Sequence, residues 1–454
     1  MKNERSSFTG KIGYVLAAAG ASVGLGNIWR FPYLAAKYGG GVFLLIYILL
    51  ALTFGFTMII AETAIGRKTK KSPVGAFRKY GSGLLEKGGG WINAIIPILI
   101  CPYYSAIGGW VTKYLAEYLK GNQAVLAQDD YFTDFITGSA APEVWFLIFV
   151  AAILVIIFLG VENGIERVTK IMMPILLVLA LVIAGYSVSM PGALAGVRYF
   201  LVPDFSRFTW MTVVAAMGQM FYSLSIAMGI LITFGSYMKD DVAIESAAGQ
   251  VEVFDTGIAL LAGLMIIPAV FAFSNGDPGA LNKGPSLMFI TVPKVLESTG
   301  FSRLGGILFF VLVLFAALTS AIALTESAVS TFEDELGIGR KSATGIIAVI
   351  TIVLGSLSSL GYGPLKMISI AGMAFLDFSD FLTNSVMMPI AALCICLMVT
   401  RRIGLDEISA EVEKGGNSFK RKSIFCFMIR YLCPIFLIVI LVSSIADVLG
   451  FIKI

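Results

Sequence analysis

Glycines and oxygen-bearing residues break two otherwise apolar stretches of the chain, and their spacing suits the capture of a cation together with an anionic group. The first stretch, KIGYVLAAAGASVGLGNIWRFPYLAAKYGGG at 11–41, sets Gly20, Gly24 and Gly26 close together, followed by Asn27, Arg30 and Pro32. A helix loosened by glycine frees carbonyl oxygens for a cation and N–H groups for an anion, and at membrane depth those groups need an internal partner or a ligand. Close helix packing through small residues is the competing reading for the glycines. Asn27 and Arg30 at the same depth favour a site, because a lipid-buried arginine is costly. The second stretch, WMTVVAAMGQMFYSLSIAMGILITFGSY at 210–237, repeats the arrangement with Gly218, Gln219, Tyr222, Ser223, Ser225 and Gly229.

More oxygen donors follow. LTSAIALTES at 318–327 sets Thr319 and Ser320 deep in a third apolar run, where a hydroxyl serves either a sodium ion or the carbonyl one helical turn back. Glu62, Asp255, Asp377 and Asp380 lie near the ends of other apolar runs. Intramembrane carboxylates are functional candidates, although Asp380 also suits an interface. Hard oxygen ligands fit Na⁺, and nothing offers the soft ligands expected for copper or zinc. The chain has no histidine, which excludes Ser-His-Asp and Cys-His nucleophile systems and imidazole metal sites. With no coherent nucleophile–base pair, the chain is not expected to be an enzyme.

The elements that must position these groups follow from composition. Of 454 residues, 57% are hydrophobic and only 14% charged, whereas a soluble domain carries about 25% charged residues. Lipid must therefore replace water around most of the chain. Eleven apolar runs approach the ~20 residues a membrane helix needs: 11–36, 41–65, 89–118, 144–161, 167–187, 210–235, 243–273, 302–331, 342–360, 376–399 and 425–446. The runs are continuous rather than alternating, which argues against a β-barrel. The least distinct boundaries are GVENGIER, between the fourth and fifth runs, and the end of the ninth in SSLGYGP. Most of the 33 Lys and Arg fall on one side of these spans, including RKTKK at 67–71 and the 401–422 region. The positive-inside rule then puts the N-terminus in the cytoplasm and, for an odd number of spans, the C-terminus outside. No cleavable leader is recognised, and the five cysteines read as buried hydrophobes. A net charge of +4 implies no nucleic-acid partner. The segment 401–423, rich in glycine and mixed charge, is expected to be a cytoplasmic loop too costly to order as a rigid fold.

AAxG recurs at 17–20 and 215–218. The offset is the one expected if the first and sixth spans open two five-helix repeats, with a binding site between them. The chain then reads as a single transporter domain over 1–454, with repeats at 11–187 and 210–399 and an additional span at 425–446.

The motifs GASVGLGNIWRFPY at 20–33, YGGG at 38–41, GQMFYSLS at 218–225, LTS at 318–320 and FEDEL at 332–336 together resemble the sodium-coupled neurotransmitter and amino-acid symporter family, in its bacterial hydrophobic-amino-acid branch. The resemblance implies an all-α membrane protein of about eleven transmembrane helices, built as two inverted five-helix repeats (the LeuT-like fold), with helices 1 and 6 unwound. It implies a first sodium at the Ser22 carbonyl, Asn27, Ser223, Asp255 and the substrate carboxylate. A second sodium falls to carbonyls of Gly20, Val23 and Ala316 and the hydroxyls of Thr319 and Ser320. The amino-acid backbone would sit at Ser22, Gly24, Leu25 and Gly26, its carboxylate hydrogen-bonded by Tyr104. The side chain would face Tyr222, Ser225, Met228, Ser320 and Leu324. An outer gate would pair Arg30 with Asp380 below the cap of Tyr104 and Tyr222, and an inner gate Arg5 with Asp334, near Ser236 and Tyr237.

Two departures from the family pattern carry expectations. Chloride-dependent members have neutral Asn and Ser where this chain has Asp255 and Ala259, so a fixed carboxylate would replace the halide and no chloride is required. Protonation of that carboxylate on the return stroke would also allow proton antiport. Met228 stands where some relatives have a rigid aromatic, and with Tyr222 and Leu324 it leaves room for a hydrophobic or aromatic L-amino acid. Gly164 and Pro174, in GIERVTKIMMP, are open to a plain proline-kink reading. In family terms they mark where helix 5 unwinds, and Gly164→Ala is then expected to slow cytoplasmic sodium release. The combined reading is sodium-coupled import by alternating access in a bacterial cell membrane, with two sodium ions, surrounding lipid, and a monomer sufficient for transport. A substrate-binding membrane sensor and an ion channel are the alternatives.

Overall fold

The computed structural model describes residues 6–81, 83, 85–274, 284–448 and 450–451. Among them, nine helices are long and apolar enough to cross a membrane: α2 (Gly41–Thr69), α3 (Gly90–Lys120), α4 (Ala141–Phe158), α5 (Val161–Ser189), α7 (Ile244–Phe273), α8 (Ser302–Leu336), α9 (Arg340–Ser359), α10 (Phe375–Ile403) and α11 (Lys422–Val448). A tenth span, α1, is a pair of helices, Lys11–Ser22 and Gly26–Lys37, bent by 54°. The remaining predicted span, α6, is also split, into Trp210–Ser223 and Ile230–Ser236. A two-residue hairpin, β1 (Ser369–Ile370) with β2 (Met373–Ala374), precedes α10.

Sequence explains where the two splits fall. In α1 the chain leaves helical geometry at Val23, which is extended, and re-enters through a π-helical turn at Gly26–Arg30. In α6 the stretch 224–229 ends at Gly229, with φ of 70°. Within it Ser225 and Ala227 also have positive φ, 52° and 60°, a region that costs a residue bearing a Cβ about 1–2 kcal/mol. Such a conformation persists only where the surroundings over-determine it.

The other helices build that surrounding. α3 and α8 run side by side, with α4 and α9 packed on α3, and α5 lies against α7 and α8. α2 holds the second half of α6. Burial separates an inner set from an outer one: 83% of the apolar window of α3 is buried, against 33% for α4, α5 and α11, whose remaining faces meet lipid.

Two boundaries differ from the sequence reading. GVENGIER does not separate α4 from α5; its residues 161–166 form a π-helical first turn of α5. The segment 401–423 is more ordered than its composition suggested. Leu405–Glu413 is helical, with Ile408 and Val412 buried. Arg67 of α2 donates to the Glu411 carboxylate at 2.7 Å and to the Val242 carbonyl at 2.6 Å. Lys414 and Lys70 flank Asp240 and hold its carboxyl below the usual carboxylate range. These long-range partners supply the order that local composition could not.

Candidate functional site

The two broken helices meet at their breaks and bond to each other reciprocally. Ser225 of α6 donates to the Ala21 carbonyl at 2.9 Å, and Ser22 of α1 lies 3.4 Å from the Leu224 carbonyl. Each break thus satisfies part of the backbone that the other exposes, as a low-dielectric interior requires. Glu62 of α2 accepts from the Ala227 N–H at 2.7 Å and holds the α6 break from the opposite side.

Four of the predicted oxygen-bearing residues converge beside the α1 break. Asn27 Nδ2 donates to Asp255 Oδ1 at 2.8 Å and to Ser223 Oγ at 2.9 Å. Ser223 Oγ reaches both Asp255 oxygens, at 3.0 and 3.1 Å. Ser22, buried, stands five residues before Asn27, on the other side of the same break. Asp255 is 0% exposed, and a buried carboxylate needs charge compensation or several donors. Its donors are neutral, and among the described residues the Asn27 side-chain oxygen accepts only the Gly24 N–H, at 3.1 Å. A carboxylate, an amide oxygen and a hydroxyl oxygen packed together are the donor set of a small hard cation. Sequence reading missed Tyr47 of α2, whose hydroxyl donates to Asp255 Oδ2 at 3.2 Å; a lone tyrosine in an ordinary apolar run carries no local signal.

A second oxygen group lies where α8 crosses α1. Ser320 Oγ is 3.2 Å from the Gly20 carbonyl and 3.3 Å from that of Val23. Thr319 Oγ1 is 2.9 Å from the Phe315 carbonyl and 3.2 Å from that of Ala316. The five predicted residues therefore adjoin, with Thr319 in its helical back-bonding position. The approach is tight: a Cβ on Gly20 would stand 3.1 Å from Thr319 Cβ.

Between these groups lies a small cavity lined by the α1 break, Tyr104, Tyr222, Met228 and Leu324, together with Ile100 of α3 and Ile230 of α6, neither of which was foreseen. Tyr104 OH accepts from the Leu25 N–H at 3.2 Å, as a ligand carboxylate would. Glycine is required in this wall by contact. A Cβ on Gly24 would lie 2.9 Å from the hydroxyls of both Ser320 and Tyr104, and one on Gly26 only 2.5 Å from the Tyr222 ring.

Tyr104 and Tyr222 also line a larger cavity beyond, which holds Arg30, Asp377 and Asp380. The two predicted outer-gate residues face this space without an ion pair within 4 Å. The Arg30 guanidinium stacks 5.2 Å over the Tyr222 ring, and Asp380 accepts from Asn384 at 2.6 Å. At the other end of the molecule Arg5 lies outside the described residues. Asp334 accepts the Ser72 N–H at 2.7 Å, Ser236 donates to the Thr233 carbonyl at 2.6 Å, and Tyr237 donates to Glu326 at 2.8 Å. Glu326, 0% exposed, is held by both terminal nitrogens of Arg340, which also donates to the Ile157 carbonyl of α4. This buried pair ties α8, α9 and α4 together and was invisible in the sequence.

The α5 start carries Gly164 inside its π-helical turn, where a Cβ would be 2.2 Å from the Ile156 carbonyl. Pro174 lies within α5 two turns further on. Glu166, the last residue of that turn, accepts the Thr9 N–H at 2.9 Å and pairs with Lys170 at 2.6 Å, so the N-terminal segment is fastened to the same turn.

The model of the sodium:neurotransmitter symporter family matches residues 5–134 and 132–451. An uncharacterized sodium-dependent transporter of Bacillus subtilis, YhdH, is 34% identical over 439 residues, covering 96% of this chain and 96% of the relative. The rat sodium- and chloride-dependent GABA transporter 2 is 27% identical over 73% of this chain and 62% of its own length. Among solved structures, the crystal structure of MhsT in complex with L-phenylalanine superposes with a TM-score of 0.87 at 34% identity, covering 97% of this chain and all of that one.

Proposed function

The chain belongs to the sodium:neurotransmitter symporter family, and from that premise we propose that it imports a hydrophobic or aromatic L-amino acid by sodium-driven symport. The observation that carries the reading is the Asp255–Asn27–Ser223 cluster beside the broken backbone of α1, under a pocket whose far wall is apolar. The substrate carboxylate would take the place at Tyr104 and the α1 amides and share the first sodium with Asn27, Ser223, Asp255 and the Ser22 carbonyl. Each would raise the affinity for the other, which is thermodynamic coupling. Thr319, Ser320 and the carbonyls of Gly20, Val23 and Ala316 would hold a second sodium and join α1 to α8. The substrate side chain would lie among Met228, Leu324, Ile100 and Tyr222, where an apolar wall rejects charge and discriminates one methylene by only about 1–3 kcal/mol. MhsT was crystallised with L-phenylalanine, an occupant of the same kind.

Arg30 and Asp380 would approach over Tyr222 when the outer side closes. The basic side of the spans would face the cytoplasm of a bacterial cell, and the monomer, which holds both oxygen groups, would suffice for transport. Asp255 supplies the negative charge for which other members use chloride, so the wild-type protein would need none. Uptake into proteoliposomes with an imposed sodium gradient tests this reading, with the twenty amino acids as unlabelled competitors and gluconate in place of chloride. Competition is expected from aromatic and large aliphatic amino acids, with unchanged uptake in gluconate. Strict preference for glycine or for a cationic amino acid would overturn it.

A further inference from the structure

The connection from α5 to α6 presents a surface that the transport site does not use. Its helix Ala193–Leu201 buries Ala193, Gly196 and Phe200, while Leu194 is 77% exposed and Leu201 points outward with it. Arg198 stands on the same stripe, four residues after Leu194 and three before Leu201. Its guanidinium has no hydrogen-bond or ion-pair partner among the described residues. Beyond the helix, Val202, Phe205, Phe208 and Trp210 continue the exposed apolar surface, with Trp210 80% exposed. Nine helical residues reach about 14 Å, half the ~30 Å of a hydrocarbon core, so this helix does not cross.

The opposite side of the segment is fastened to the turn joining α1 to α2. Tyr199 OH donates to the Ala36 carbonyl at 2.5 Å, and Gly40 pairs with Pro203 as an antiparallel bridge. Gly40 has φ of 59°, and a Cβ there would stand 2.1 Å from the Tyr199 carbonyl oxygen. The YGGG motif thus serves as a seat for residues 199–207.

We propose that residues 193–210 form an in-plane anchor on the vestibule side of the membrane, whose exposed face takes a phospholipid with its phosphate at Arg198. The occupant follows from continuity along the chain: the segment begins four residues after α5, whose exposed flank of Val178, Leu181 and Val182 faces lipid, and it ends on Trp210, the first residue of α6. A leucine-flanked arginine beside Phe and Trp is the pattern of a helix lying at the boundary of headgroups and acyl chains, with the cation reaching the phosphates. The anchor fixes the depth of the α1–α2 turn, and so of the outer half of the broken helix.

The test uses the full chain in phosphatidylcholine vesicles containing phosphatidylglycerol brominated either near the headgroup or near the chain end. The quenching lost on Trp210→Phe reports that residue alone. Trp210 fluorescence is expected to be quenched more strongly by the shallow bromines. Quenching by brominated phosphatidylglycerol should weaken in Arg198→Gln, with an affinity loss of about fivefold, and be retained in Arg198→Lys. Trp210 quenched by aqueous iodide and by neither lipid would overturn the proposal. So would protection from iodide and lipid alike, which would mean a protein or a second copy covers the surface. Equal phosphatidylglycerol quenching in Arg198→Gln and wild type would remove the phosphate assignment.

Discussion

Asp255→Asn separates charge from shape in the α1 oxygen cluster. The amide is isosteric. Its Oδ1 can accept from Asn27 and Ser223, now at 2.8 and 3.0 Å from the carboxylate, while its Nδ2 faces Tyr47, whose hydroxyl can accept. Folding should therefore survive. What disappears is the one formal charge of the cluster. A unit charge 4 Å from a sodium ion contributes about 4 kcal/mol at an effective dielectric near 20. If relaxation of the remaining oxygens recovers half, about 2 kcal/mol of sodium affinity is lost, a roughly 30-fold rise in the half-saturating sodium concentration. The Tyr47 hydroxyl also loses its anionic acceptor, leaving a donor that a halide can use. Asp255→Asn combined with Ala259→Ser is expected to recover part of the sodium affinity in chloride and none in gluconate. Substrate uptake against sodium concentration in the two anions measures both effects. A half-saturating sodium concentration within threefold of wild type for Asp255→Asn, with an intact thermal midpoint, would refute the charge argument.

Three further outcomes follow from contacts described above. Gly26→Ala drives a methyl into the Tyr222 ring, 2.5 Å from its Cβ position; overpacking costs about 1–3 kcal/mol, so equilibrium binding of labelled substrate should weaken by ten- to hundredfold. Glu326→Gln leaves the Arg340 guanidinium partly buried without its bidentate acceptor, a change that costs about 3–5 kcal/mol. The detergent-solubilised variant should lose thermal stability accordingly, and the Glu326→Gln, Arg340→Gln double variant should recover part of it. Gly164→Ala places a Cβ against the Ile156 carbonyl, so packing turns the sequence-based expectation around. The wound turn is destabilised by about 1–3 kcal/mol, and a cysteine near Thr9 should label faster from the membrane side that it faces; slower labelling would restore the original sign.

The fold was legible because each span writes itself as a local apolar run, and the breaks because glycine and polar residues interrupt those runs. Asn27, Ser223, Asp255, Thr319 and Ser320 announced themselves as oxygen atoms where hydrocarbon was due. What stayed hidden depends on partners far apart in the chain. Tyr47 is one more aromatic in an apolar helix until Asp255 is seen opposite it. Glu326 and Arg340 sit on different helices, and Arg340 also donates to a carbonyl on a third. The order of 405–413 rests on an arginine more than three hundred residues away. YGGG was read as a motif, yet its reason lies in the backbone of 199–207, to which no periodicity points.

The reciprocal breaks of α1 and α6 have an evolutionary corollary. The part of the pocket proposed to meet the common end of every amino acid is largely main chain, together with Tyr104, and no point substitution deletes a backbone group. The part that would meet the variable end is Met228, Leu324, Ile100 and Tyr222, side chains on α3, α6 and α8. On that reading, mutation would redraw the menu of substrates while the grip on their common end is inherited intact.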